Sequence, residues 1–155
     1  MAVRIQEESF EVGAEIERLW ARRPSVGAIA SFIGTVRDIN EVEGERRSIS
    51  SLTLEHYAGM TEAALEEICQ EARARFEVID ALIVHRVGRL LPLDPIVLVV
   101  VLSSHRKDAF AACEFIMDYL KTQAPLWKKE VTPEGSRWVE SRMSDDDAAQ
   151  RWGTS

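Results

Sequence analysis

The sequence predicts a mixed β-sheet with helical cover, and three observations predict it. Residues 96–103 (IVLVVVLS) are apolar on both faces, the mark of a central strand in a sheet covered on both sides. Segments with helical periodicity alternate with strand-like segments instead of forming a block of their own. The patterned part then ends in a hairpin, KKEVTPEGSRWVE, where Pro133 suits the second turn position and Gly135 the last.

Each element has its own reason. Val12, Ile16, Leu19 and Trp20 follow helical spacing, so residues 12–22 form a first amphipathic helix, closed by Pro24. Residues 27–36 (GAIASFIGTV) are rich in apolar and β-forming residues and predict a buried strand. Residues 38–48 carry turn and charge character without periodicity and predict a polar loop. A second strand covers 49–57. Thr61 is the expected N-cap of a helix to Phe76, with Ala64, Ile68, Ala72 and Phe76 on one face. Residues 81–87 form a strand, PLDP a turn, and 107–122 a third helix with Phe110, Cys113, Met117 and Leu120 inward. The reading gives one domain over 1–143 and a mobile or partner-facing tail over 144–155, in which Trp152 is the candidate contact residue.

Composition narrows function. A chain of 155 residues buries roughly 68–70% of its unfolded surface and needs no disulfide or structural metal to fold. A formal net charge of −7 argues against general nucleic-acid binding, which needs Lys and Arg to neutralise phosphates. The first ten residues show no secretory pattern and the longest apolar run is too short for a bilayer, so a cytoplasmic location is expected. Cys69 and Cys113 lack metal-ligand spacing and sit in helical patterns as small core residues. His56, His85 and His105 lack the spacing of a metal site, and His56 and His85 are expected to be structural.

Against this acidic background, DYLKTQAPLWKKE gathers Lys121, Lys128 and Lys129 around Pro125 and Trp127. Arg37 ends the first predicted strand, and His105 and Arg106 open the third helix. A helix start offers unpaired N–H groups, so SSHR (residues 103–106) suits an oxyanion. Each cation also has a plainer reading, as a solvated strand end or a partner of the helix dipole. Taken together, the pattern points to lysine-centred catalysis on an anionic substrate. The reaction stays open at this level.

The segments SFIGTVRD, LTLEHYAGMTEAAL, VHRVGRL, SSHRKDAFAACEFIMDYLKTQAPLWKKE and TPEGSRWVE closely resemble the catalytic (large) subunit of molybdopterin synthase, in unbroken order over residues 10–143. The resemblance implies an α+β fold, an α/β hammerhead with an additional antiparallel β-sheet. It implies conversion of cyclic pyranopterin monophosphate into molybdopterin, with dithiolene sulfur supplied by a small ubiquitin-like subunit bearing a C-terminal Gly-Gly thiocarboxylate. It further implies a homodimer at the centre of a heterotetramer, and no cofactor or metal. By position, Lys121 and Lys128 match the catalytic lysines, and Arg37, His105 and Arg106 match the pocket for the pterin phosphate. Thr35 and Val36 match a pocket-lining stretch, and Lys129 and Glu130 extend the lysine segment toward the pterin. A persulfide cysteine is then unnecessary. Two other classes remain in competition: an adaptor that binds the tail without chemistry, and a Schiff-base lysine enzyme.

Overall fold

The computed structural model describes residues 1–42, 44–139 and Trp152. The elements in order are β1 (Ala2–Gln6), α1 (Val12–Trp20), β2 (Ala28–Thr35), β3 (Ile39–Val42), β4 (Glu45–Ser48), β5 (Ser51–His56), α2 (Met60–Arg75), β6 (Asp80–Arg86), β7 (Gly88–Leu90), β8 (Pro95–Ser103), α3 (Arg106–Gln123), β9 (Leu126–Thr132) and β10 (Gly135–Val139). They build two four-stranded sheets, β1-β6-β8-β2 and β10-β9-β5-β7, with β3 and β4 as a separate hairpin. This is the α+β architecture with an added, wholly antiparallel sheet. None of the described helices is long and apolar enough to cross a membrane.

The double-sided pattern of β8 has the consequence its sequence predicts. Alternate side chains point to opposite faces of a strand, so Val97, Val99 and Val101 join α2 and α3 in one core cluster while Leu98, Val100 and Leu102 join Phe10 and the α1 side in another. β6 divides the same way, with Ala81 and Ile83 on one face and Leu82 and Val84 on the other. Helix α1 lays Val12, Ile16 and Leu19 on the second cluster. Its one buried residue is Glu15, whose carboxylate accepts from Arg4 and from Arg18 at 2.6 Å each. Burial pushes the Glu15 pKa up, but the two guanidiniums outweigh it and hold the carboxyl below its usual range.

Several expectations are corrected. Residues 28–35 are an edge strand, not a buried one: β2 pairs only with β8, leaving Ile29, Phe32 and Ile33 exposed. Residues 39–48 are mostly a hairpin, not a loop, with Ile39 opposite Ser48 and Gly44 at φ +80. Polar strands of this kind are stabilised by pairing, which leaves no hydrophobic period to read. The cap of helix α2 lies two residues before the expected one. Gly59 at φ +85 is the cap, and its N–H donates to the Glu62 carboxylate at 3.2 Å. Thr61 lies inside the first turn, where its hydroxyl donates to the Pro125 carbonyl at 2.9 Å. Phe110 and Trp20 face solvent. Strands β1 and β7 were not anticipated; β1 pairs in parallel with β6 at the other edge of the first sheet. Of the 144–155 tail, Trp152 alone is described; it packs edge-on to Phe115 and Phe76, and its indole N–H donates to Asp118 at 2.7 Å.

Candidate functional site

Helix α3 passes into β9 through only Ala124 and Pro125, held by the Thr61 bond to the Pro125 carbonyl. That short link sets the last turn of α3 and the first residues of β9 against one space. The space is a cavity of about 460 Å³, within the roughly 300–1,000 Å³ typical of small-molecule sites. Lys121 reaches it from α3, Lys128 from β9, and Arg37 from beyond β2. Thr35 and Val36 line it as well. Val36 is anchored both ways to the turn before β8: its N–H donates to the Asp94 carbonyl and its carbonyl accepts from Leu93 N–H, each at 2.9 Å. Arg37 is thereby fixed at the rim. Three cations from three segments, one of them distant in the chain, thus share one concave space, which is what an anionic ligand requires.

Strand alternation sorts the remaining candidates. Lys128 pairs with Leu54 and Glu130 with Leu52, and all four line the cavity. Lys129 between them points to the outer face of the second sheet, where its ammonium lies 5.9 Å from the Trp138 ring. The expectation that Lys129 extends toward the pterin therefore conflicts with the period of the strand it sits on. Trp127 is likewise on the outer face, edge-on to Tyr57 at 4.6 Å. Glu130 is 4% exposed and paired with Arg137 at 3.1 Å. Arg137, which sequence reading passed over, is a partly buried counter-charge whose buried Nε has no partner among the described residues. Only the register of β9 and β10 brings it to Glu130.

His105 and Arg106 do not line this cavity. They lie at the opposite end of α3 from Lys121, about 22 Å away at 1.5 Å per residue. The oxyanion position expected at SSHR is also occupied from within the chain. Glu77 accepts from Ser103 Oγ at 2.7 Å, Ser104 Oγ at 2.8 Å and Ser104 N–H at 3.1 Å. These bonds hold its carboxyl below the usual carboxylate range. What His105 and Arg106 offer outward is their exposed side chains, not the backbone of the helix start.

Comparison with known proteins shows the family. The model of the family described as "MoaE protein" matches residues 5–123. The chain belongs to the MoaE protein family. A relative from Ralstonia nicotianae, named molybdopterin synthase catalytic subunit, is 59% identical over 97% of this chain and 84% of its own length. One of the same name from Pseudomonas aeruginosa is 51% identical over 98% of this chain and 99% of its own. Among solved structures, the molybdopterin biosynthesis MoaE protein from Burkholderia ambifaria superposes with a TM-score of 0.83 at 56% identity, covering 100% of both chains.

In this MoaE chain the cysteines are core residues. Cys69 and Cys113 are free thiols and buried, and burial pushes their pKa values up to about 12 and about 11. A thiol so far from ionising is a poor sulfur nucleophile.

Proposed function

We propose that this chain is the catalytic subunit of a molybdopterin synthase. It binds cyclic pyranopterin monophosphate and forms the dithiolene of molybdopterin with sulfur from the thiocarboxylated C-terminal Gly-Gly tail of a small ubiquitin-like subunit. The observation that carries the reading is the convergence of Arg37, Lys121 and Lys128 on one cavity, in a chain whose near full-length relatives bear that name. Arg37 holds the pterin phosphate through charge-assisted hydrogen bonds. Lys121 serves as acid/base or electrostatic stabiliser where charge develops as the thioacyl group of the tail is attacked, and Lys128 holds the anionic reactants beside it. Glu130, locked to Arg137, is a wall of the site. The cytoplasm is its place of action, where a reducing environment keeps thiols free.

His105 and Arg106 belong to the same reading as contributions from a second copy. The Ala28 end of β2 pairs with Ser103, next to these residues, while its Thr35 end lies at the cavity. Two β2 edges paired antiparallel about a two-fold axis bring the start of one strand beside the end of the other. That arrangement covers Ile29, Phe32 and Ile33 and carries one copy's Arg106 toward the other copy's cavity.

The test is reconstitution from purified chain, thiocarboxylated small subunit and precursor, with dithiolene product as the readout. Mixed dimers of Lys121→Ala and Arg106→Ala chains should recover activity that neither variant has alone, since one of the two sites is then whole. No recovery in verified mixed dimers means that Arg106 acts within its own chain or not at all. A borohydride-trapped adduct of substrate on Lys121 would favour the Schiff-base alternative.

The cysteines give a further expected result. Cys69→Ser/Cys113→Ser should lower the melting temperature, because each hydroxyl enters an apolar site, while sulfur transfer by the folded protein stays at the wild-type rate. Loss of transfer in a folded double variant would show that a thiol of this chain carries sulfur.

A further inference from the structure

One titratable side chain in the cavity has no task in this reaction. His85 lies on β6, 4% exposed, and lines the cavity in a row with Val97 and Gly34 across three adjacent strands. Its Nδ1 is 2.8 Å from the Arg86 carbonyl oxygen. A carbonyl only accepts, so Nδ1 carries the proton and Nε2 keeps its lone pair. With Nδ1 committed to the backbone, Nε2 is the acceptor left to a ring that lines the cavity. A ring kept only for packing has no need to present a lone pair to a space lined by cations.

The surroundings favour the neutral ring. Its sheet neighbours Ile5 and Val97 bring no charge. The charged groups that line the space are Lys121 from α3, Lys128 and Glu130 from β9 and Arg37 beyond β2, and His56 on β5 is near enough to act on the ring. Burial, and then the nearby lysines, push the His85 pKa down to about 4. A neutral imidazole does not repel an ammonium and can accept one of its hydrogens.

We infer that His85 is a positioning residue for the catalytic lysine: its Nε2 accepts a hydrogen bond from the Lys121 ammonium in the loaded site and aims Nζ at the reacting tail. The inference rests on the reading of Lys121 as catalytic, and it requires no proton to leave the lysine for the ring.

Two substitutions separate this role from a structural one. In His85→Gln the amide reaches the place of Nε2 and supplies an acceptor there. In His85→Asn the shorter amide reaches only the place of Nδ1 and keeps the bond to Arg86. With the full chain, thiocarboxylated partner and precursor, His85→Asn should lose about tenfold to a hundredfold in single-turnover rate, the scale of a misplaced reacting group. Affinities for both partners should be unchanged, and His85→Gln should recover most of the rate. Nitrogen-15 spectra of the wild-type imidazole should show the Nδ1–H tautomer, neutral at pH 5. An Nε2–H tautomer, a wild-type rate in His85→Asn, or equal losses in two variants that melt like wild type would each overturn the inference. Lys121→Ala run alongside distinguishes the two levels. If that variant is active, the reading of the lysine fails; if it is inactive while His85→Asn is fully active, only the positioning role fails.

Discussion

Replacing Lys121 with alanine is expected to lower single-turnover formation of dithiolene by about 100- to 1,000-fold, with both the precursor and the small subunit still bound. The size follows from the loss of one preorganised donor at a developing oxyanion, worth about 2.7–4 kcal/mol of barrier. Binding survives because Arg37 and Lys128 still line the cavity. The fold survives because Lys121 is only half-buried, in the last turn of a helix anchored by Phe115, Ile116 and Leu120. Lys121→Arg should not restore the rate. A guanidinium cannot release its proton in the working range, and its planar fork does not place charge at the same point as an ammonium. Near-normal turnover in Lys121→Arg would reduce this residue to a holder of charge.

Phe115→Ala should have the largest effect on stability. The ring is fully buried where α3 meets α2 and Trp152. It packs against Phe76 at 5.8 Å, Tyr119 at 4.7 Å and Trp152 at 5.5 Å, with the Arg75 guanidinium 5.2 Å from its centroid. Removing a buried phenyl group costs about 3–5 kcal/mol in transfer and cavity terms, against a total stability of roughly 5–15 kcal/mol. Denaturant titration should show the midpoint fall with little change in slope. A loss below about 1 kcal/mol would mean that Trp152 and Tyr119 collapse into the space.

The helices and central strands were legible because each buries a regular face. The 3.6 period of α1 and α3 and the unbroken apolar run of β8 are local statements about which side meets water. Strands β1, β3 and β4 carried no such statement, since their formation depends on a partner strand. The edge position of β2 was hidden for a related reason. GAIASFIGTV reads as buried because it is apolar, yet burial on an edge depends on whether something pairs with it.

The candidate site divides along the same line. Lys121 and Lys128 stood out because cations are conspicuous among apolar residues of an acidic chain. The helices, the two-faced central strand, the closing hairpin, the burial of the cysteines and the residues that mark the MoaE family are written locally in the chain. All of these rest on period, polarity or motif, and each is readable within a few residues or a few segments. That Lys128 and Glu130 enter the cavity while Lys129 leaves it comes from the fold, because the face of a strand is set by its register with β5 and β10. The fold alone paired Glu130 with Arg137 and set the Glu77 carboxylate on Ser103 and Ser104 before the third helix. It also placed His85 in the wall of the cavity that Lys121 and Lys128 line, with Nδ1 on the Arg86 carbonyl. Those outcomes depend on distances between segments far apart in the chain, which no local pattern encodes.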